Sequence, residues 1–146
     1  SRTGARFGDS VSISGNTAIV GAAYGDGVVS SSGAAYVFIR DGSTWTQQAK
    51  LTTPDTGPEE RFGLSVSVSG DTAVVGAWSD YLIMLDSRWA YVFTRDGSTW
   101  SQEAKLDPGA GGFGCSVSIS GGTVSTHTMR CRPSGFHAEG GHSIMS

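Results

Sequence analysis

Residues Phe7 to Leu51 recur as Phe62 to Leu106, offset by 55 positions and without a gap. FGDSVSISGNTAIVGA stands over FGLSVSVSGDTAVVGA, and AYVFIRDGSTWTQQAKL over AYVFTRDGSTWSQEAKL. A third copy opens at Phe113 with FGCSVSISGGT and then leaves the pattern. Little else in a sequence constrains a fold as much. A unit repeated at this length buries its apolar face on its neighbour, so stability comes from stacking units together.

Within one unit the pattern predicts strands. From Phe7 to Ser14, Val11 and Ile13 point one way and Ser10, Ser12 and Ser14 the other, the period of a half-buried strand. Gly15-Asn16 suits a two-residue hairpin because both residues tolerate positive φ. Further strands follow at Thr17 to Ala22, Ala35 to Arg40 and Trp45 to Leu51, the last two joined through Asp41-Gly42-Ser43-Thr44. The second copy repeats the order at Gly63 to Ser69, Thr72 to Ala77, Ala90 to Arg95 and Trp100 to Leu106. Four antiparallel strands in a unit of this length make a propeller blade. The predicted fold is therefore all-β: four-stranded antiparallel β-propeller-type blades, two and a fraction of them, a partial propeller. Its division is a lead-in at 1–6, blades at 7–51 and 62–106, and crossovers at 52–61 and 107–112. The start of a third unit at 113–122 and an atypical tail at 123–146 complete it. The third copy is expected to supply one strand, Gly114 to Ser120; TVSTHTMRCRPSGFHAEGGHSIMS after Gly122 keeps neither its period nor its composition.

A net charge of −3 without runs of Lys or Arg argues against nucleic acid or an anionic membrane surface as partner. The longest apolar run, Tyr81 to Leu85, is far short of a membrane span. The chain begins at Ser1 without a signal region, as expected of a processed form or a piece of something longer. Cys115 and Cys131 either form a bridge closing a loop of about 17 residues, worth roughly 3 kcal/mol, or stay as two thiols.

Phe7-Gly8, Phe62-Gly63 and Phe113-Gly114, each followed by an S-V-S strand, resemble the FG-GAP repeat family. So do the IVGA and VVGA segments (Ile19 to Ala22, Val74 to Ala77) and the AYVF strands. Blades of this family build integrin α-subunit propellers and many secreted bacterial and algal proteins, so the resemblance implies an extracellular or cell-surface location. In integrin-like members an Asp-rich loop between the first two strands holds calcium. Here that position is the tight turn Ser14 to Thr17, repeated as Ser69 to Thr72 and Ser120 to Thr123, with at most one Asp each. Calcium needs six to eight oxygens, so those sites do not carry over, and no metal or other cofactor is expected.

No catalytic residues are expected either. His127, His137 and His142 all lie in the tail, and with Cys131 they match no zinc spacing. Glu59 and Glu60 sit in a crossover, where solvated acids are ordinary. The most telling contrast is the loop between strands two and three, AYGDGVVSSSG in one unit and WSDYLIMLDSR in the next. An apolar run in one copy alone marks a contact site, so Trp78, Tyr81, Leu82, Ile83, Met84, Leu85 and Trp89 are the candidate partner-binding residues. A loop folded back over its own blade is the bland alternative, and Trp78, Tyr81 and Trp89 stacked on a glycan is a third. Trp45 with Trp100, Tyr36 with Tyr91 and Phe38 with Phe93 recur in register and read as blade packing.

Propellers close with roughly four to eight blades, so one copy of this chain cannot form a ring and leaves sheet rims unmet. Two functions follow as expectations. One is a non-catalytic extracellular module for protein interaction or adhesion. The other is a structural subunit that self-assembles into a ring or filament through edge strands and the Trp78 to Trp89 loop.

Overall fold

The computed structural model describes residues 6–25, 27, 32–56, 60–79, 88–106, 116–129 and 138–145, with backbone alone for 88, 127–129 and 138–145. The described residues form three antiparallel sheets. β1 (Phe7–Ser14), β2 (Thr17–Ala22), β3 (Ala34–Asp41) and β4 (Thr44–Leu51) pair in sequence order as the first. β5 (Ser65–Ser69), β6 (Thr72–Trp78), β7 (Arg88–Asp96) and β8 (Thr99–Leu106) repeat that order. β9 (Ser116–Ser120), β10 (Thr123–Met129) and β11 (Ala138–Met145) form a third sheet of three strands. The protein is an all-β partial propeller.

The third sheet departs from the expectation of one strand and a patternless tail. TVSTHTM takes the place of TAIVGA and TAVVGA, and pairs Thr123 with Ser120 as Thr17 pairs with Ser14 and Thr72 with Ser69. Periodicity missed it because the strand keeps only Val124 as a large apolar residue on its packed face. Thr126 stands where the earlier copies have Val20 and Val75, and it is fully buried. The hairpin register supplies what the side chains do not advertise.

Each β1-type hairpin turns through Gly15, Gly70 or Gly121, all at φ 57. Asn16 and Asp71 do not share the positive φ, so glycine at the first central position alone meets the left-handed requirement. The turn residue has another use. The Asn16 side-chain oxygen accepts from Arg40 Nε and Nη2 at 3.1 and 3.0 Å. The Asp71 carboxylate accepts from Arg95 Nε and Nη2 at 2.8 and 2.7 Å.

Sheets stack through two apolar layers. Ile19, Ala35, Val37 and Leu51 of the first sheet meet Phe62, Val66, Val68, Val75, Tyr91 and Phe93 of the second unit. The opposite face of the second sheet, with Val74, Ala90 and Val92, meets Val117, Ile119 and Val124 of the third. Hydroxyls stitch the inner strands together. Ser12 Oγ accepts from Val68 N and Ser14 Oγ from Gly70 N, each at 3.1 Å. Ser67 Oγ accepts from Ile119 N at 3.1 Å, and Ser10 Oγ donates to the Gly63 carbonyl at 2.9 Å. The alternation in SVSIS thus serves two packed faces, with serines toward the following sheet and Val or Ile toward the preceding one.

The motif that opens each repeat acquires a physical reason here. Phe62 is fully buried, its N–H donating to the Ser32 carbonyl at 2.9 Å. Gly63 sits at φ 92 with its backbone against Ala34, and a Cβ there would overlap the Ala34 carbonyl oxygen. A Cβ on Gly21 would overlap the Gly63 carbonyl. The glycine after Phe and the glycine of VGA meet backbone to backbone across the sheet boundary.

Candidate functional site: the uncovered face of the first blade

In the second unit Phe62 packs on Tyr91 and Phe93, ring centroids 5.5 and 6.0 Å apart, beneath the first sheet. The first unit holds the same trio in the same geometry, Phe7 on Tyr36 and Phe38 at 5.5 and 6.2 Å. Among the described residues no sheet lies over it; only Lys50 Nζ approaches, 5.8 Å from the Tyr36 ring centroid. Phe7 is 57% exposed, Val11 67% and Ile13 61%, where Phe62, Val66 and Val68 are 0%, 7% and 5%. Tyr36 and Phe38, expected in blade core like their partners Tyr91 and Phe93, are only half-buried. Trp45 is 40% exposed whereas Trp100 is half-buried. The result is an apolar sheet face, already shaped to receive another sheet, turned to solvent.

The residues singled out from sequence fall elsewhere. Trp78 ends β6 half-buried, with the Arg61 guanidinium 4.7 Å from its ring centroid and its indole N–H buried without a hydrogen-bond partner. That same guanidinium lies 5.3 Å from the Tyr24 ring of the first unit, so Arg61 bridges an aromatic from each. Trp89 in β7 is half-buried against the first apolar layer, with Lys105 Nζ 3.9 Å from its ring centroid. Each tryptophan thus already carries a cation on its ring. Tyr81, Leu82, Ile83, Met84, Leu85, Cys115, Cys131 and His137 lie outside the described residues, as does Glu59. His127 and His142 are described in backbone only, on β10 and β11, paired with Gly141 and Thr126 respectively.

Among the described residues no group of three His, Cys, Asp or Glu side chains lies close enough to hold a metal ion. At the β5–β6 turn, where integrin-like blades bind calcium, the one carboxylate, Asp71, is engaged by Arg95. The most perturbed acid is Tyr91. Burial, with smaller contributions from the Glu60 and Asp55 carboxylates, holds its phenol well above the ordinary tyrosine range. Its hydroxyl is buried without a partner. It sits in the apolar layer under the first sheet, packed on Phe62.

Sequence reasoning passed over Phe7, Val11 and Ile13 because their pattern matches the buried copies. The available signal was position in the stack: among the described residues the first sheet has a neighbour on one side only, so its copy of a buried face is open there.

Comparison with family profiles bears on this architecture directly. Residues 1–38 and 45–93 match the FG-GAP repeat. The chain belongs to the FG-GAP repeat family. Repeat modules of this family are generally non-catalytic. No curated protein sequence matches the chain.

Proposed function

We propose that this chain is a non-catalytic interaction module, extracellular or cell-surface in location, whose first blade accepts a further blade of the same kind. The observation that carries it is the Phe7, Val11 and Ile13 face, exposed where its copy in the second unit is buried. The occupant's chemistry follows from that copy. It is a sheet presenting small and branched apolar side chains, as Ile19, Ala35, Val37 and Leu51 do, beside an inner strand whose serines accept backbone N–H groups. Burying Val11 and Ile13 contributes about 1.5–3 kcal/mol each. The extracellular placement rests on the integrin-type character of the repeat. Glycan stacking on Trp78 or Trp89 would have to compete with Arg61 and Lys105.

Self-assembly is the second reading, since the open face is available to another copy. A head-to-tail contact would set it against the third sheet, where Ser125 stands in place of Ile19 and Val74. That polar substitution favours a separate FG-GAP partner over an endless stack. The segment from Tyr81 to Leu85, flanked by Trp78 and Trp89, is a further proposed contact.

Light scattering and sedimentation of the full chain, alone and with a second FG-GAP protein, test the reading. The expected result is saturable association weakened at least about tenfold by Val11→Asp with Ile13→Asp, since each 1.4 kcal/mol is a factor of ten. Loss on Leu82→Asp with Met84→Asp instead would assign the contact to the loop. A chain that stays monomeric and binds no FG-GAP blade at micromolar concentration overturns the reading.

A further inference from the structure

The second sheet is joined to the first by a polar contact from its third and fourth strands. Arg95 and Trp100 face each other across that hairpin and reach the first sheet. Trp100 Nε1 donates to Gln48 Oε1 at 2.9 Å, and Arg95 Nη1 donates to Thr17 Oγ1 at 3.2 Å and to Gln48 Oε1 at 3.4 Å. Gln48 reaches them because it is the extra residue of a β-bulge, between the pairs Val37↔Ala49 and Phe38↔Gln47. The second sheet has the same bulge, between Val92↔Ala104 and Phe93↔Gln102, with Glu103 as its extra residue.

The first sheet carries the donor half of this contact on its uncovered side. Arg40 faces Trp45 as Arg95 faces Trp100, with the guanidinium 5.6 and 5.1 Å from the respective ring centroids. The backbone anchors match as well: Arg40 N donates to the Asn16 carbonyl and Arg95 N to the Asp71 carbonyl, each at 2.8 Å. Nε and Nη2 of Arg40 are engaged by the Asn16 side chain. That leaves Nη1, the nitrogen that in Arg95 crosses to the neighbouring sheet. Burial records the difference: Arg40 and Trp45 are exposed, whereas Arg95 and Trp100 are half-buried. One substitution separates the two copies. Asp71 neutralises Arg95, whereas Asn16 holds Arg40 through a neutral amide. The guanidinium of the first sheet therefore keeps its charge, and a bond from it to an ionised acceptor is roughly twice as strong as one between neutral groups.

We infer that Arg40 and Trp45 are the selective element of the open face, docking on a separate FG-GAP blade that carries a carboxylate where the first sheet has Gln48 and a threonine where it has Thr17. This rests on the docking proposed at Phe7, Val11 and Ile13 and adds to it a choice among occupants, because the apolar face alone accepts any sheet of small and branched side chains. The partner's carboxylate accepts from Trp45 Nε1 and Arg40 Nη1, and its threonine hydroxyl from Nη1. The acidic form of the bulge exists within this chain: Glu103 occupies it, with Thr72 at the Thr17 position. The third sheet of a second copy offers three strands and no bulged fourth among the described residues, so the pair also selects against self-stacking.

The test places a further copy of residues 7–55, carrying Trp45→Phe, ahead of the full chain. Its last four residues and Ser1 to Arg6 then form a connection as long as 52–61. Two NMR signals of the original chain keep the two claims apart: the Ile13 methyl reports docking, and the Trp45 indole N–H reports the polar contact. With Gln48→Glu in the added copy, the methyl should shift and exchange of the indole proton with water should slow at least about tenfold, one factor of ten being 1.4 kcal/mol. With Gln48→Ala the methyl should stay shifted while that protection is lost. Unaltered Gln48 should protect less than the glutamate version, and Asn16→Asp in the original chain should cancel the difference. A shifted methyl with an unprotected indole in the glutamate version would overturn the selective contact and leave the docking standing. Equal protection by glutamine and glutamate would overturn the preference for a carboxylate, and an unshifted methyl would overturn both readings.

Discussion

Phe7 and Phe62 are a natural controlled experiment at the scale of one residue. Each ring packs on a tyrosine and a phenylalanine at nearly the same distances, and they differ in what lies above. Phe62→Ala empties a fully buried site and should cost about 3–5 kcal/mol. Phe7→Ala removes a ring already more than half exposed and should cost about 1 kcal/mol or less in the isolated chain, as surface substitutions do. Urea denaturation of both variants measures the contrast, and equal losses would mean that the first face is covered in solution. Tyr91 gives a pH signature. Its phenol is held above the ordinary tyrosine value of 10.0, so between that value and the folded one the native state keeps a proton that the unfolded state has released. Stability from this group is fully present below pH 10 and declines as pH rises from there. Tyr91→Phe removes an unpartnered buried hydroxyl, so it should leave neutral stability unchanged or raised while flattening that alkaline decline. Denaturation midpoints at neutral and at alkaline pH measure both effects.

At the scale of the element, the bulge in the last two strands of each sheet decides more than the strands do. Gln48→Ala removes the acceptor for Trp100 and one of those for Arg95 and should cost about 1 kcal/mol, because the half-buried indole N–H is left without its partner while Arg95 keeps Asp71 and Thr17. Glu103→Ala, at the same bulge but on an exposed side chain, should lie within about 0.5 kcal/mol of neutral. Thermal denaturation of the two variants compares them. The strands themselves were legible in the sequence: alternation and paired Gly turns placed β1 to β8 within two residues at each end. The bulge was not, since an extra residue in a polar strand leaves period and composition almost untouched. β10 was hidden for a different reason. Its Ser125 and Thr126 occupy positions filled by Ile or Val in the earlier copies, so pairing with β9 had to carry what hydrophobicity could not announce.

For the whole molecule, the two ends of the stack are unlike. One presents Phe7, Val11 and Ile13; the other presents Ser118, Ser120 and Ser125. The repeat made the stacking readable but concealed the open face, because nearly the same sequence is buried in one copy and bare in the other. If that face mediates association, the unfolding midpoint should rise with chain concentration and lose that dependence on Ile13→Asp, because binding stabilises the native state by mass action. A midpoint independent of concentration in the unaltered chain would mean that it does not pair with itself.

The serine hydroxyls that join one inner strand to the next address main-chain N–H and C=O groups, which every copy possesses whatever its side chains. Adhesion between units therefore asks little of the recipient. A stretch of gene encoding one unit can be duplicated, lost or left to drift, and the product still meets its neighbour on chemistry that mutation does not erase. The third copy, whose β10 has lost most of its apolar residues, is still held in line by Ser67.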